Sequence, residues 1–448
     1  MGAMATEVAP PAVPPGAAQP TLARTLNFWE VTAGGVGIIV GAGIYVLVGA
    51  ATEQAGAAVW MAFVLAAVLS ALTGLSYCEL ASMFPTAGAE FDYTRRAAPE
   101  WVAFVVGWTM IAGLVVGAAT VALGFGRYLA HFTGTAPWVG AYTILTLNTV
   151  IALIGVKTSA RVTFLLSTVQ VGGLLFIVFI GAPHVGEVDL MASKGTAGVL
   201  SAAALVFFAF IGFDEVITLA EETRNPERTV PRALLTALAI STALYILVAI
   251  VAVSVLGADV LGASERPLAD VIDHAVGGPS VGFVAIIAMV ATTNTSLLML
   301  TASSRLTFGM ARSGVLPRFL ARVRGRTQVP AAAVLVAAAV AAGFVLFRDL
   351  TLIAGVTDFA VYVVFLAVNA TVVVLRWKRP ELARPFRIPG SIGRVPMVPV
   401  LGFAATVLMM TQLDGRPALL GIGLLALGVL FAFVFARSRE PAETAALE

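Results

Sequence analysis

After residue 25 the chain alternates long apolar runs with short polar breaks. The runs are longer than the helices of a water-soluble core, and few charged residues interrupt them. A helix needs about 20 apolar residues to cross ~30 Å of hydrocarbon. That criterion predicts membrane helices at about 30–52, 58–84, 100–130, 137–156, 160–182, 197–222, 230–257, 279–310, 329–347, 350–376, 395–412 and 416–437, called segments 1 to 12 below. The expected class is an all-α membrane protein with 12 transmembrane helices. Residues 1–25, rich in Pro and Ala, hold no apolar run followed by a cleavage site and are expected to form a disordered cytoplasmic tail, with 439–448 as a second.

Charge placement supports the segmentation and orients it. With the N-terminus inside, 22 of the 27 Lys and Arg residues fall in the inner connections and tails. The outer side carries Arg127, Lys194, Arg266, Arg348 and Arg416. Cytoplasmic connections hold the basic excess, so both termini are expected in the cytoplasm and the protein in the cytoplasmic membrane. Composition agrees: 59% of residues are hydrophobic and 12% charged, with mean hydropathy +0.96, against roughly 25% charged in soluble domains. A net charge of +2 dispersed over loops gives no basic face for nucleic acid. Cys78 is the single cysteine, expected in the core, and His131, His184 and His274 are expected at the surface, so no metal site is indicated. No Walker, HExxH or GxSxG constellation with usable partners occurs, which argues against an enzyme.

Two segments are interrupted where a lipid-facing helix would be continuous. Segment 1 carries Gly34, Gly35, Gly37, Gly41 and Gly43, and in segment 6 Gly212 closely precedes the adjacent Asp214 and Glu215. Transporters built from inverted repeats break corresponding helices to hold substrate near the midplane. Close helix packing of the small-xxx-small type, as at Gly37 and Gly41, is the other reading of the segment 1 glycines. If segments 1 and 6 each open a repeat, five helices form each one. The expected units are 26–196, 197–380, and an appended pair over 381–438. Intramembrane carboxylates are expensive and line cavities, gates or proton paths. Here they are Glu79, Asp214, Glu215 and Asp358, with Glu79 also readable as a helix-end group reaching the interface. Of the adjacent pair Asp214 and Glu215, at least one is expected to face water.

Four stretches now carry a resemblance: GIIVGAGIYVLVG in segment 1, SYCELASMFPTAGAEFDYTRRAAPEWVAFVVGW from segment 2 into 3, FFAFIGFDEVITLAEETRNPERTVPRALL from segment 6 into 7, and SSRLTFGMARSGVLP after segment 8. The chain resembles the amino acid, polyamine and organocation (APC) superfamily, particularly bacterial amino acid permeases and cationic amino acid transporters. The resemblance implies a LeuT-type fold of five-plus-five inverted repeats with two extra helices. It also implies a substrate carboxylate held on backbone N–H groups of Gly41, Ala42 and Gly43, where a half-helix N-terminus favours anions. The ammonium would meet carbonyls of Ile39, Phe208 and Ile211, Gly212 would supply the turn, and Phe208 would close over the substrate, unless it is an ordinary core aromatic. Asp214 matches a family acid near the segment 6 break.

Departures narrow these implications. Where proton-coupled relatives carry a lysine in segment 5, this chain has Gln170, and a neutral amide cannot exchange a proton near pH 7. Gln170 with Thr293 and Asn294 is expected either to ligate sodium or to form a structural hydrogen-bond network. Gly113 stands where cationic transporters carry a glutamate, which points to a small pocket wall and a neutral amino acid. Asp358 replaces an apolar residue and is a candidate proton carrier or amine partner. The expected function is secondary active transport of amino acids by alternating access, symport or exchange, coupled to H+ or Na+ and without a cofactor. A polyamine or organic-amine carrier and a transporter-like amino acid sensor are the alternatives.

Overall fold

The computed structural model of the chain describes residues 26–84, 89–219, 223–276, 280–323 and 329–437. The expected tails lie outside these residues. Nine described helices are long and apolar enough to cross a membrane, and a tenth crossing is assembled from Phe28–Ile39 and Gly43–Ala55, bent by 53° at their junction. Two shorter apolar helices, Ala331–Val345 and Met397–Met410, coincide with segments 9 and 11. The chain is thus an all-helical, multi-pass membrane protein. Among the described residues extended pairing is limited to a two-residue hairpin, Ser391–Ile392 against Val395–Pro396, and the isolated bridges Leu26–Thr223 and Gly56–Ser193.

Segment 3, Glu100–Thr133, is buried along most of its length. Small residues permit this: a Cβ on Gly126 would stand 1.8 Å from the Pro137 carbonyl oxygen, and one on Gly117 would stand 2.9 Å from Met299 Sδ. Between membrane helices close approach supplies the attraction, because lipid tails are as apolar as the side chains they would leave. Segments 5 and 12 lie at the periphery, where Leu175 and Phe179 on one and Leu419, Leu427 and Phe433 on the other are exposed.

Three short helices are not foreshadowed by the apolar runs: Ala89–Ala97, Ala258–Ala263 and Pro267–Ala275. Each is too short for a span. The last buries Leu268, Ala269, Val271 and Ile272 on one side, while its Asp270 accepts from Ser264 Oγ and pairs with Arg266 at 3.0 Å. Segment 6 is interrupted, and among the described residues it comprises Gly195–Val206, a tight turn Phe207–Phe210 and a four-residue helix Glu215–Thr218. Its break lies against the break in segment 1. A Cβ on Gly43 would fall 2.4 Å from Ala209 Cα, so only glycine allows the two unwound strands to touch.

Candidate functional site at the paired helix breaks

The first helix of segment 1 ends at Ile39, and the second starts at Gly43 with no side chain capping its N-terminus. The glycines divide between the two readings of this segment. Gly35 and Gly37 lie within the first helix and pack, their Cβ positions 3.0 Å from Ala237 Cβ and 3.1 Å from Ser167 Cβ, whereas Gly41 and Gly43 flank the break. In segment 6 the chain leaves helical geometry at Ile211 and turns at Gly212, whose φ of 111° is a conformation that L side chains rarely adopt.

Hydroxyl and amide groups of other segments satisfy the freed backbone. Tyr245 Oη lies 2.8 Å from the Ile39 carbonyl oxygen and 2.9 Å from that of Ala209. With one proton it donates to one of them at a time. The Ala42 N–H donates to Thr295 Oγ1 at 2.9 Å. The Gly37 carbonyl accepts from Ser167 Oγ at 2.9 Å and from Gln170 Nε2 at 3.2 Å, and Gln170 Nε2 also donates to the Val40 carbonyl. Asn294 Nδ2 donates to Ser167 Oγ at 3.0 Å and approaches Gln170 Oε1 at 3.5 Å. Gln170 and Asn294 therefore meet. Thr293 does not join them: its hydroxyl bonds back to the Met289 carbonyl, and its own carbonyl accepts from Asn148. Sequence patterning does not single out Tyr245, Thr295 or Ser167, because nothing in it indicates which backbone a lone hydroxyl will reach.

A cavity of about 750 Å3 ends at these breaks. It runs from Trp29, Phe164 and Arg305, all exposed, to Gly37, Ile38, Ile211, Gly212, Thr295 and Met299. Ile211 and Gly212 line it, while Ile39, Gly41, Ala42, Gly43 and Phe208 are buried and do not. Beyond its end lies an aromatic cluster in which Phe207 meets Tyr362 and Phe365 at 4.9 and 5.4 Å, and Phe210 meets Tyr245 at 5.3 Å. The cavity is thus accessible from the Trp29 end and closed at the other.

Asp214 and Glu215 both line the cavity, as does Arg305. Behind them is Glu90, on the linker helix Ala89–Ala97, 4% exposed and accepting a 3.0 Å hydrogen bond from Tyr77 Oη. Burial, and then the negative charge of Asp214, push the Glu90 carboxyl up to about 8. The sequence offers no signal for Glu90, since its short polar helix reads as an ordinary loop.

Asp358 is fully buried, and neither carboxyl oxygen has a hydrogen-bond partner among the described residues. It does not line the cavity. One turn on, Tyr362 Oη donates to the Ala204 carbonyl at 3.0 Å. Gly113, expected to be a pocket wall, instead admits segment 10: a Cβ there would stand 3.1 Å from Ala360 Cβ. Glu79 lies apart from the cavity, 1% exposed. It takes Arg376 through Nε at 2.9 Å and through Nη2, together with the Ile388 N–H at 2.8 Å, while Arg384 Nε stands 3.5 Å away. The interfacial reading of Glu79 is thereby corrected, because the arginine at the end of segment 10 and the following loop cover it. Among the described residues no group of three or more His, Cys, Asp or Glu is placed to hold a metal.

A family model for amino acid permeases matches residues 26–435. The sequence is 30% identical over 442 residues to the methylthioribose transporter of Bacillus subtilis, spanning 94% of this chain and 95% of that one. It is 29% identical over 443 residues to a branched-chain amino acid permease of the same organism, spanning 94% of each. To the vacuolar cationic amino acid transporter 4 of Arabidopsis thaliana it is 33% identical over 391 residues, 80% of this chain and 64% of the plant protein.

Proposed function

This chain belongs to the amino acid permease family, whose members are transporters and not enzymes, and from that premise we propose that it carries a neutral amino acid across the cytoplasmic membrane by alternating access, as symporter or exchanger. The proposed architecture is twelve crossings with both termini cytoplasmic, in two inverted repeats, 26–196 and 197–380, followed by the pair within 381–438. The observation that carries the reading is the pair of touching helix breaks at the end of a cavity of about 750 Å3.

In this reading the cavity faces the cytoplasm. The substrate carboxylate takes the N–H groups of Gly41, Ala42 and Gly43, displacing the Thr295 hydroxyl that now occupies one of them. The half-helix beginning at Gly43 adds the favourable end of its dipole. The ammonium is received by the carbonyls of Ile39, Phe208 and Ile211. Tyr245, touching both breaks, couples their movement, and Phe208 closes the far side. Gln170 holds the carbonyls of segment 1 as a neutral strap in the place of a titrating lysine. Proton coupling, if H+ rather than Na+ drives transport, is assigned to Asp214 at the cavity wall and Asp358 behind it. Glu79, tied by Arg376, is assigned to bracing.

The test is uptake into proteoliposomes of a labelled panel containing branched-chain and cationic amino acids, polyamines and methylthioribose, under a proton gradient, a sodium gradient or neither. Gradient-enhanced uptake of a neutral amino acid is the expected result. Uptake of amines alone would replace it with the organic-amine reading, anchored on Asp358, and absence of uptake under every condition would favour the sensor.

A further inference from the structure

A second cavity, of about 310 Å3, lies between the start of segment 3 and the end of segment 10. Its walls include Arg96, Pro99, Leu375, Lys378 and Arg379, and no acidic side chain lines it. Among the described residues none of its three cations has a carboxylate within 4 Å. The reason is local. The helix Leu350–Lys378 would ordinarily draw nearby cations onto its terminal carbonyls, but Arg384 already holds that end, donating to the carbonyls of Leu375 at 3.1 Å, Arg379 at 2.9 Å and Leu382 at 2.7 Å. Glu79, the nearby buried acid, is spent on Arg376 and Arg384. Arg96 is steadied by its guanidinium lying 4.1 Å above the Phe84 ring.

The surroundings place this basic cavity at headgroup depth. Trp377, adjoining Lys378, is 61% exposed, and Trp101, two residues after Pro99, is 47% exposed and stacks on Phe433 at 6.2 Å. Tryptophans with one apolar and one wet side mark the membrane interface. From Phe433 the exposed row of Leu430, Leu427 and Leu419 continues along segment 12 as an apolar wall. Positive charge at headgroup depth beside hydrocarbon-facing surface is the arrangement that retains a phosphate attached to acyl chains.

We propose that this cavity is a binding site for the phosphate headgroup of an anionic membrane lipid. Phosphate is the shared chemistry, and the apolar wall beside the cavity selects a lipid over free phosphate. A bound lipid would tie the linker helix that carries Glu90 to segment 10, which carries Asp358, independently of the transported substrate.

The test uses the full chain in neutral detergent, with retention of phosphatidylglycerol and of phosphatidylcholine measured by native mass spectrometry. Wild type is expected to retain phosphatidylglycerol preferentially, with no competition from millimolar inorganic phosphate. The triple variant Arg96→Gln, Lys378→Gln, Arg379→Gln should weaken retention on the order of 100-fold, about fivefold per cation. Single Lys378→Gln and Arg379→Gln variants, at exposed positions, should each weaken it about fivefold and keep the test readable if the triple variant misfolds. A control of equal charge loss, Arg312→Gln, Arg318→Gln, Arg322→Gln, should leave retention unchanged. Equal retention in wild type and cavity variants, or equal loss in the control, overturns the site. Displacement by inorganic phosphate without lipid preference overturns the lipid as its ligand.

Discussion

Glu79 and Asp358 are buried to the same degree, 1% and 0% exposed, and differ completely in what surrounds them. Glu79 receives three hydrogen bonds from Arg376 and the Ile388 N–H and has Arg384 alongside, whereas both oxygens of Asp358 lack a partner among the described residues. A buried charge in a bidentate, fully bonded pair is structurally committed, and removing either member strands the other. An acid without donors contributes nothing of that kind to the fold. Burial alone therefore does not identify a working carboxylate. The partners do.

The largest effect is expected at the saturated end of this contrast. Glu79→Ala leaves the Arg376 guanidinium buried and uncompensated and should destabilise the protein by about 3–5 kcal/mol, read as a fall in the thermal unfolding midpoint in detergent. Asp358→Asn should change that midpoint little, by under about 1 kcal/mol, while reducing gradient-driven uptake about tenfold or more or flattening its pH dependence. Comparable destabilisation by the two variants would break the comparison. So would unaltered pH dependence in both Asp358→Asn and Asp214→Asn.

Glu90 stands between the extremes, with one donor in Tyr77 and the charges of Asp214 and Glu215 facing it. Tyr93 of its own helix also faces it, with Asp92 and Cys78 close to that tyrosine. Its carboxyl is raised from the usual 4.5 to about 8, so the conformation described here favours the neutral acid. The stabilisation it gives is complete below the ordinary value and is lost as pH rises through about 8. Wild-type unfolding midpoints should accordingly fall by a few degrees between pH 6 and 9, and Glu90→Gln should remove that dependence. A dependence unchanged in the variant would move the titration elsewhere.

The smallest expected effect sharpens the contrast at the breaks. Thr295→Val removes the hydroxyl that occupies the Ala42 N–H and should tighten apparent substrate affinity about three- to fivefold, the worth of one neutral hydrogen bond. Weaker binding would make Thr295 a ligand in place of a competitor.

Much of the architecture is legible in the order of residues alone. Runs of about 20 apolar residues must form helices in a bilayer, because no water is present to satisfy an open backbone. Gly212 and Gly43 are legible as well, since a positive φ and a 2.4 Å approach to Ala209 exclude other residues. The meeting of Gln170 and Asn294 follows from resemblance. The tight turn Phe207–Phe210, the amphipathic linkers and the filling of space beside Gly113 do not follow from it, because short elements are stabilised by what they dock against.

The order of apolar runs, the placement of charge and the positions that tolerate only glycine belong to the sequence, because solvent exclusion and backbone sterics act locally. The tertiary structure decided which acids are paired and which hydroxyls cover the breaks. Arg376 reaches Glu79 across 297 positions, Thr295 reaches Ala42 across 253, and Tyr245 reaches Ile39 across 206. Hydrogen bonds and ion pairs depend on distances of about 3 Å, and over such separations those distances exist only once the helices have packed.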